Sequence, residues 1–184
     1  MIWFTADHHF GHENIIKYCN RPFKNANHMN EIMVERWNER VKPNDTVYYL
    51  GDFTLGNASQ FMRYASRLNG QIYFVYGGHD KRWWNIEMDD DLSRTLVRLQ
   101  ERIVYLKQPE RIVLCHYPLL SWEGSHYGSL HLHGHCHGTI GITNLSGDIQ
   151  LPPGEKRGVR VDVGVDCWNF APVNLGEIRS AIGG

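Results

Sequence analysis

The chain has few cysteines, almost no net charge and no long apolar run. Its four cysteines form no C-x-x-C pair, so neither a zinc knuckle nor a dithiol redox site is indicated. The formal net charge is -1, which leaves no global basic field for nonspecific binding of nucleic acid. No apolar stretch is long enough to span a bilayer, and the first residues lack the basic start and apolar run of a secretory signal. We therefore expect a cytoplasmic protein without membrane contact.

The length of the chain bounds the number of domains. With 184 residues, 42% of them hydrophobic, the chain is long enough for one well-buried core and short for two. We therefore expect a single domain over residues 1–184.

Short apolar runs and helical spacings alternate along the sequence. Strands are predicted at 2–6, 46–50, 71–76, 103–106, 111–115, 130–133 and 159–165. Helices are predicted at 28–41, 58–68, 92–99 and 175–182, with Asn27 and Asn57 as N-caps of the first two. The glycine-rich and proline-containing segment 138–158 is predicted to form loops around at most a short hairpin.

Side chains that can bind metal or carry protons follow five of these strands. In chain order they are D-H-H at 7–9, G-D at 51–52, G-G-H-D at 77–80, C-H at 115–116 and G-H-C-H at 134–137. Polar groups at the carboxyl ends of strands gather at one edge of a sheet. Because imidazole is a common ligand of transition metals, and the chain has eleven histidines, the pattern favours a metal site at that edge.

The order of these motifs resembles the calcineurin-like metallophosphoesterase superfamily, in its small bacterial or phage type. The family pattern is D-x-H, G-D, G-N-H-D, a lone H and G-H-x-H, and the resemblance covers the chain from Asp7 to His137. It implies an α/β fold in which two mixed β-sheets pack as a sandwich flanked by helices, in the order α-β-β-α. It also implies two divalent metal ions, with manganese favoured and iron, zinc, cobalt or nickel as alternatives.

The resemblance further implies a role for each motif side chain. The implied ligands are Asp7, His9 and His137 for one ion, His116 and His135 for the other, and Asp52 as a bridge between both. Two divalent ions about 3.5 to 4 Å apart repel each other, and a carboxylate between them offsets that repulsion. Residues i and i+2 of an extended chain point to the same side, so we expect Asp7 and His9 to hold one ion together.

The same resemblance implies that His79 acts as a general acid. It would donate a proton to the leaving alkoxide, with Asp80 fixing its tautomer and keeping it cationic. The reaction would be hydrolysis of a phosphate ester by metal-activated water, and a phosphodiester is favoured because no cap domain is visible. The expected partner is a small phosphate ester, with a nucleotide as one candidate, and the expected assembly is a monomer or a homodimer.

Position 78 departs from the family pattern. The family has Asn there, whose amide ligates the second metal and can touch the phosphate, whereas Gly78 has no side chain to offer. Weaker metal occupancy and slower turnover are the expected consequences. In addition to this substrate-binding position, His12 and Arg21, near the first motif, are predicted to place donors beside the phosphate, Arg21 through a bidentate fork, although a surface salt bridge explains Arg21 equally well.

Other interpretations stay open. A catalytically impaired metal-binding scaffold or interaction protein could use the same fold, and Gly78 favours it, whereas His79 argues against it because a scaffold needs no proton donor. Among enzymes, a phosphomonoesterase or a nuclease would share the motifs, but a nuclease is expected to add a basic groove that the charge balance does not indicate. His131 and His133 extend the histidine tract, and we interpret them as core or supporting residues rather than ligands.

Overall fold

The fold is described from a computed structural model of the chain. The described residues are 1–87, 95–99, 101–108, 110–140, 142–144 and 158–183. The start of the helix predicted at 92–99 and most of the loop predicted at 138–158 lie outside them.

Strands and helices alternate along the described chain. The strands are β1 (Ile2–Thr5), β2 (Thr46–Tyr49), β3 (Gln71–Phe74), β4 (Leu96–Arg98), β5 (Ile103–Leu106), β6 (Ile112–Cys115), β7 (Leu130–His133), β8 (Thr143–Asn144), β9 (Val159–Asp162) and β10 (Val173–Asn174). The α-helices are α1 (Glu13–Tyr18), α2 (Ala26–Arg40), α3 (Ala58–Ala65) and α4 (Leu175–Gly183). Short 3-10 turns lie at Asp80–Arg82 and Val165–Cys167.

The strands form two mixed sheets of five strands each. The first has the order β10-β1-β2-β3-β4, in which β1 to β4 are parallel and β10 is antiparallel to β1. The second has the order β5-β6-β7-β9-β8, with β6, β7 and β9 parallel and the two edge strands antiparallel. Each sheet therefore brings the carboxyl ends of at least three neighbouring strands to one edge.

Two apolar clusters hold the layers together. One packs the first sheet against α2 and α3, through fully buried side chains such as Trp37, Tyr49 and Phe61. The other lies between the sheets and joins residues such as Phe4 of β1 to Leu114 of β6 and Leu132 of β7. The expected sandwich of two mixed sheets flanked by helices is confirmed.

Two local predictions are wrong. The last part of the helix predicted at 92–99 is β4, because Leu96 is buried and pairs with Ile72 of β3, so sheet pairing outweighs the helical spacing of apolar residues. The N-cap of α2 is Asn25, not Asn27, since the Asn25 side chain accepts a hydrogen bond from the His28 backbone N–H. Asn57 caps α3 as predicted.

The two sheets meet beyond the end of β1. Ala6 forms an isolated parallel bridge with Gly164, which follows β9 of the second sheet. The chain beyond β1 therefore enters the space where both sheets present their carboxyl ends. Within the described residues, no helix is both long and apolar enough to cross a membrane.

Candidate metal centre

Six side chains converge where the carboxyl ends of the two sheets face each other. They form two groups, and within each group one nitrogen or oxygen atom per residue lies within 4.8 Å of the others. The first triad is Asp7, His9 and His137, and the second triad is Asp52, His116 and His135. Each triad combines residues that follow strands of both sheets.

Asp52 lies between the two triads. Its Oδ2 atom is 3.5 Å from Nε2 of His116, in its own triad, and 3.7 Å from Nε2 of His9, in the other. Asp7 in turn has its Oδ1 atom 4.0 Å from Nδ1 of His116. The two triads therefore share one pocket, and the Asp52 carboxylate is placed to face both.

The backbone of five of the six triad residues is strained. Eight non-glycine residues of the described chain have positive φ, and the five that belong to the triads, with φ between 47° and 70°, are Asp7, His9, Asp52, His135 and His137. Such conformations cost energy and persist where a site requires a particular side-chain direction. The prediction that the chain is extended through Asp7 and His9 is therefore wrong. His8 between them turns into the core, where its ring contacts Tyr49.

The carboxylates are held by backbone groups that approach closely. Oδ2 of Asp7 accepts a hydrogen bond of 2.8 Å from the backbone N–H of His135, and Oδ1 of Asp52 accepts one of 2.9 Å from that of His79. A Cβ atom on Gly134 would lie 2.6 Å from Oδ2 of Asp7, and one on Gly77 would lie 2.5 Å from Oδ1 of Asp52. Glycine is required at both positions because any side chain would push the carboxylate away.

Several nitrogen and oxygen atoms of the triads that could ligate a metal are buried without a hydrogen-bond partner among the described residues. They are Oδ1 of Asp7, both ring nitrogens of His9 and Nε2 of His116. Buried polar groups are almost always satisfied, because an unpaired one keeps the full cost of its desolvation. The set of nitrogen and oxygen atoms suits a divalent transition metal, so these residues fit metal ions.

The electrostatics of the pocket also favour bound cations. Burial raises the pKa of Asp7 to about 7, because the nearby imidazoles only partly offset the loss of solvation. Burial opposes ionisation of Asp52 and of His116 as well, but their mutual attraction lowers the pKa of Asp52 and raises that of His116 to about 9. The described side chains therefore compensate the buried charge of Asp52 but only part of that of Asp7, so a cation beside Asp7 would be stabilised.

Arg21 supports the first triad and is not placed to bind phosphate, which corrects its predicted role. Its Nε and Nη2 atoms each donate to the Asp166 carboxylate at 2.7 Å, and its guanidinium also donates to the backbone oxygens of Asp7 and His8. Arg21 is buried, so a surface salt bridge does not describe it either. Its guanidinium therefore donates hydrogen bonds to protein atoms and not to a ligand.

Asp166 was missed in the sequence. Its Oδ2 atom lies 2.8 Å from Nδ1 of His137, which leaves Nε2 of that ring for a metal ion. Carboxylates in this position fix the tautomer and orientation of a ligating histidine. Asp166 lies in the 3-10 turn after β9, and no motif in the sequence links it to His137.

Asp80 does not orient His79, which corrects a second predicted role. Its carboxylate is buried and accepts hydrogen bonds of 2.8 to 3.0 Å from the backbone N–H groups of Asp52, Phe53 and Gly77. No hydrogen bond joins it to the His79 ring within the described part of the chain. Asp80 instead fixes the turn that carries Asp52.

The other predicted residues lie at the rim of the pocket. The His79 side chain is 53% exposed, with Nε2 at 3.8 Å from Oδ2 of Asp52. The half-buried His12 has its ring 5.8 Å from that of His9, and Gly78 is exposed next to His79.

His131 and His133 are buried in β7 and belong to neither triad, as interpreted from the sequence.

Fold and site together define a mixed α/β protein whose clustered Asp and His side chains could hold metal ions. No protein-family model matches the chain. The chain is 34% identical over 183 residues to the uncharacterized protein MJ1445 of Methanocaldococcus jannaschii, covering 98% of this chain and 90% of that protein. It therefore belongs to the same family as that protein.

Two further proteins are similar to this chain over 98% of its length. The Gene 66 protein of Mycobacterium phage D29 is 25% identical over 207 residues, covering 98% of this chain and 95% of that protein. The protein of unknown function AQ665 from Aquifex aeolicus superposes with a TM-score of 0.64 at 21% identity, over 98% of both chains, which shows the shared fold. A phosphopantetheinyl hydrolase from Mycobacterium tuberculosis reaches a TM-score of only 0.30 at 14% identity, over 62% of this chain and 40% of that one, and this likeness is too weak to bear on function.

Replacing Asp80 by alanine should destabilise the fold around Asp52. The change leaves three buried backbone N–H groups unpaired, and we expect the free energy of unfolding to fall by about 2–4 kcal/mol. Urea denaturation of the metal-free protein measures this, with Glu35→Ala on the exposed face of α2 as the control. A midpoint equal to that of the control would contradict the role given to Asp80.

Replacing Asp166 by asparagine should weaken metal binding at the first triad. The amide keeps the size of the side chain but presents an N–H₂ group to either Arg21 or His137, so we expect a roughly 10- to 100-fold loss in metal affinity there. Calorimetric titration with manganese measures it, and Glu177→Gln, which alters a surface carboxylate paired with Arg40, is the matched control. Unchanged affinity in the Asp166 variant would show that His137 needs no such support.

Proposed function

We propose that the protein is a metal-dependent phosphoesterase that hydrolyses phosphodiesters. The observation that carries this proposal is the pair of triads with the Asp52 carboxylate facing both, because in-line displacement at phosphorus is served by two adjacent cations with a carboxylate between them. The strained backbone of five triad residues adds support, since strain of this kind is found where side chains must be aimed at a ligand.

Two divalent ions are the proposed cofactors. Manganese is favoured, and iron, zinc, cobalt or nickel would also suit the mixed nitrogen and oxygen donors. The first triad would hold one ion and the second triad the other, with Asp52 facing both. Bound there, the ions would act as Lewis acids that activate water and neutralise the charge that phosphate oxygens gain during displacement.

His79 is the proposed general acid. Its side chain lies at the rim, half in solvent, while its Nε2 atom stays within 3.8 Å of the Asp52 carboxylate. A protonated imidazole in this place can reach the leaving oxygen of an ester on the open side of the pocket. Asp80 binds only backbone groups there, so among the described residues the carboxylate that faces the His79 ring is that of Asp52.

The open rim supports a phosphodiester over a phosphomonoester. A shallow cleft of about 270 Å³ beside the second triad is lined by Leu55, Gly78, His79, Lys81 and Arg82. An ester with groups on both sides of its phosphorus can enter such a cleft without being enclosed. The exposed side chains of Lys81 and Arg82 in this cleft are positively charged and suit an anionic leaving group, for which a small nucleotide is a candidate.

The proposal predicts metal-dependent turnover of a diester. After removal of metals and reloading with manganese, we expect two ions per chain and faster hydrolysis of bis(nitrophenyl) phosphate than of mononitrophenyl phosphate. Asp52→Asn should reduce turnover to the level of the metal-free protein, because the charge between the ions is lost, whereas Glu35→Gln should not. Two bound ions without turnover of either ester would favour the scaffold interpretation instead.

Replacing His79 by glutamine should reduce turnover of esters with poor leaving groups and leave that of esters with good leaving groups nearly unchanged. Nitrophenolate leaves without a proton, whereas an alkyl alkoxide needs one, so we expect a loss of roughly 100-fold or more only for alkyl esters. The kcat values for matched nitrophenyl and alkyl diesters measure this, with His28→Gln on α2 as the control. Equal losses for both esters would remove the acid role of His79.

A further inference from the structure

Tyr117 follows the second-triad ligand His116 directly and lies against the open side of that triad. Its ring contacts the rings of His116 and His135 edge-on, with both centroid distances at 4.7 Å. The side chain is 39% exposed, so it borders solvent as well as the triad. Two imidazoles therefore fix the direction in which the phenol points.

The hydroxyl of Tyr117 lies beside Gly78. A Cβ atom placed on Gly78 would be 3.1 Å from this hydroxyl, and no other atom of the described residues outside the adjoining chain lies within 4 Å of that point. The next residue, His79, donates its backbone N–H to Asp52. The hydroxyl thus occupies the space next to the second triad that a side chain at position 78 would otherwise enter.

This hydroxyl has no hydrogen-bond partner among the described residues. An exposed phenol held in place by ring packing loses little conformational entropy when it binds a ligand. A neutral O–H is a donor, and the oxygens of a bound phosphate are strong acceptors. The chemistry that fits this position is therefore a phosphate oxygen.

We propose that the Tyr117 hydroxyl donates a hydrogen bond to a phosphate oxygen of the substrate at the second triad, an inference that rests on the proposed function. Position 78 cannot make such a contact because it has no side chain. Tyr117 supplies it from the neighbouring strand end of the other sheet. The residue then binds substrate and does not hold the metal.

Tyr117→Phe tests this with the loss of one oxygen atom. We expect the affinity of the manganese-loaded protein for inorganic phosphate, measured by calorimetry, to fall about tenfold or more, and KM for the diester to rise similarly. Manganese content should stay at the wild-type value. Tyr105→Phe, which removes an exposed hydroxyl on β5 outside both triads, should leave phosphate affinity, KM and manganese content unchanged.

A second variant checks the geometry. In the Tyr117→Phe background the space of the lost hydroxyl is free. The asparagine side chain of Gly78→Asn can place an amide donor there, so we expect phosphate affinity to recover at least in part. In the wild-type background the same asparagine meets the hydroxyl at 3.1 Å, and we expect no gain in phosphate affinity.

The outcomes separate this inference from the proposed function. Turnover by the wild type with unchanged phosphate affinity and KM in Tyr117→Phe overturns the role of Tyr117 and leaves the phosphoesterase proposal in place. Loss of manganese from Tyr117→Phe also overturns it, because the hydroxyl would then serve the metal. Phosphate binding by the wild type without turnover refutes the proposed function, while weaker phosphate binding by Tyr117→Phe would still support the contact. A wild type that binds no phosphate refutes the contact.

Discussion

Burial of two carboxylates beside one another is the constraint on which this structure depends. Asp7 and Asp52 are nearly inaccessible to solvent, and ionised groups in such places need compensation. The guanidinium of Arg21, also buried, pairs with Asp166 rather than with either of them. One oxygen of each carboxylate is met by a backbone N–H, and the other faces the histidines. Metal ions, which these residues could hold, would supply the positive charge that completes this balance.

The need to compensate the two buried carboxylates also links the site to the fold. The hydrogen bond from His135 to Asp7 joins the second sheet to the first, as does the bridge between Ala6 and Gly164. Both sheets therefore have to dock for the triads to form, and the glycines at the contact allow the backbones to approach the carboxylates. The left-handed residues are tolerated only because two well-packed apolar clusters stabilise the layers on either side.

The sequence predicted the strand ends well and their local geometry poorly. The polar residues after β1, β2, β6 and β7 were found because each follows a short apolar run or, at β7, an alternation of leucine and histidine, and the structure brings them into two triads. The left-handed backbone at Asp7 and His9 could not be predicted, because nothing in D-H-H distinguishes a turn from an extended chain. The partner of Arg21 is 145 residues away, and the partners of Asp80 are backbone groups, so neither contact leaves a pattern in the sequence. Likewise β4 follows from pairing with β3, which a local spacing of apolar residues does not reveal.

The two triads differ in how they are supported, and this difference favours an enzyme over a scaffold. The first triad is backed by Asp166 and Arg21, which hold His137 and the backbone at Asp7 in place. In the second triad, His135 is exposed, and Asp52 accepts a hydrogen bond from the backbone of His79, which lines the open cleft. A protein that used metal ions only to stabilise its fold would gain from enclosing both groups, since closed coordination is typical of structural sites. With an ion in each triad, the supported one would lie beside the open one and leave room for a ligand next to fixed charge, as catalysis by two metal ions requires.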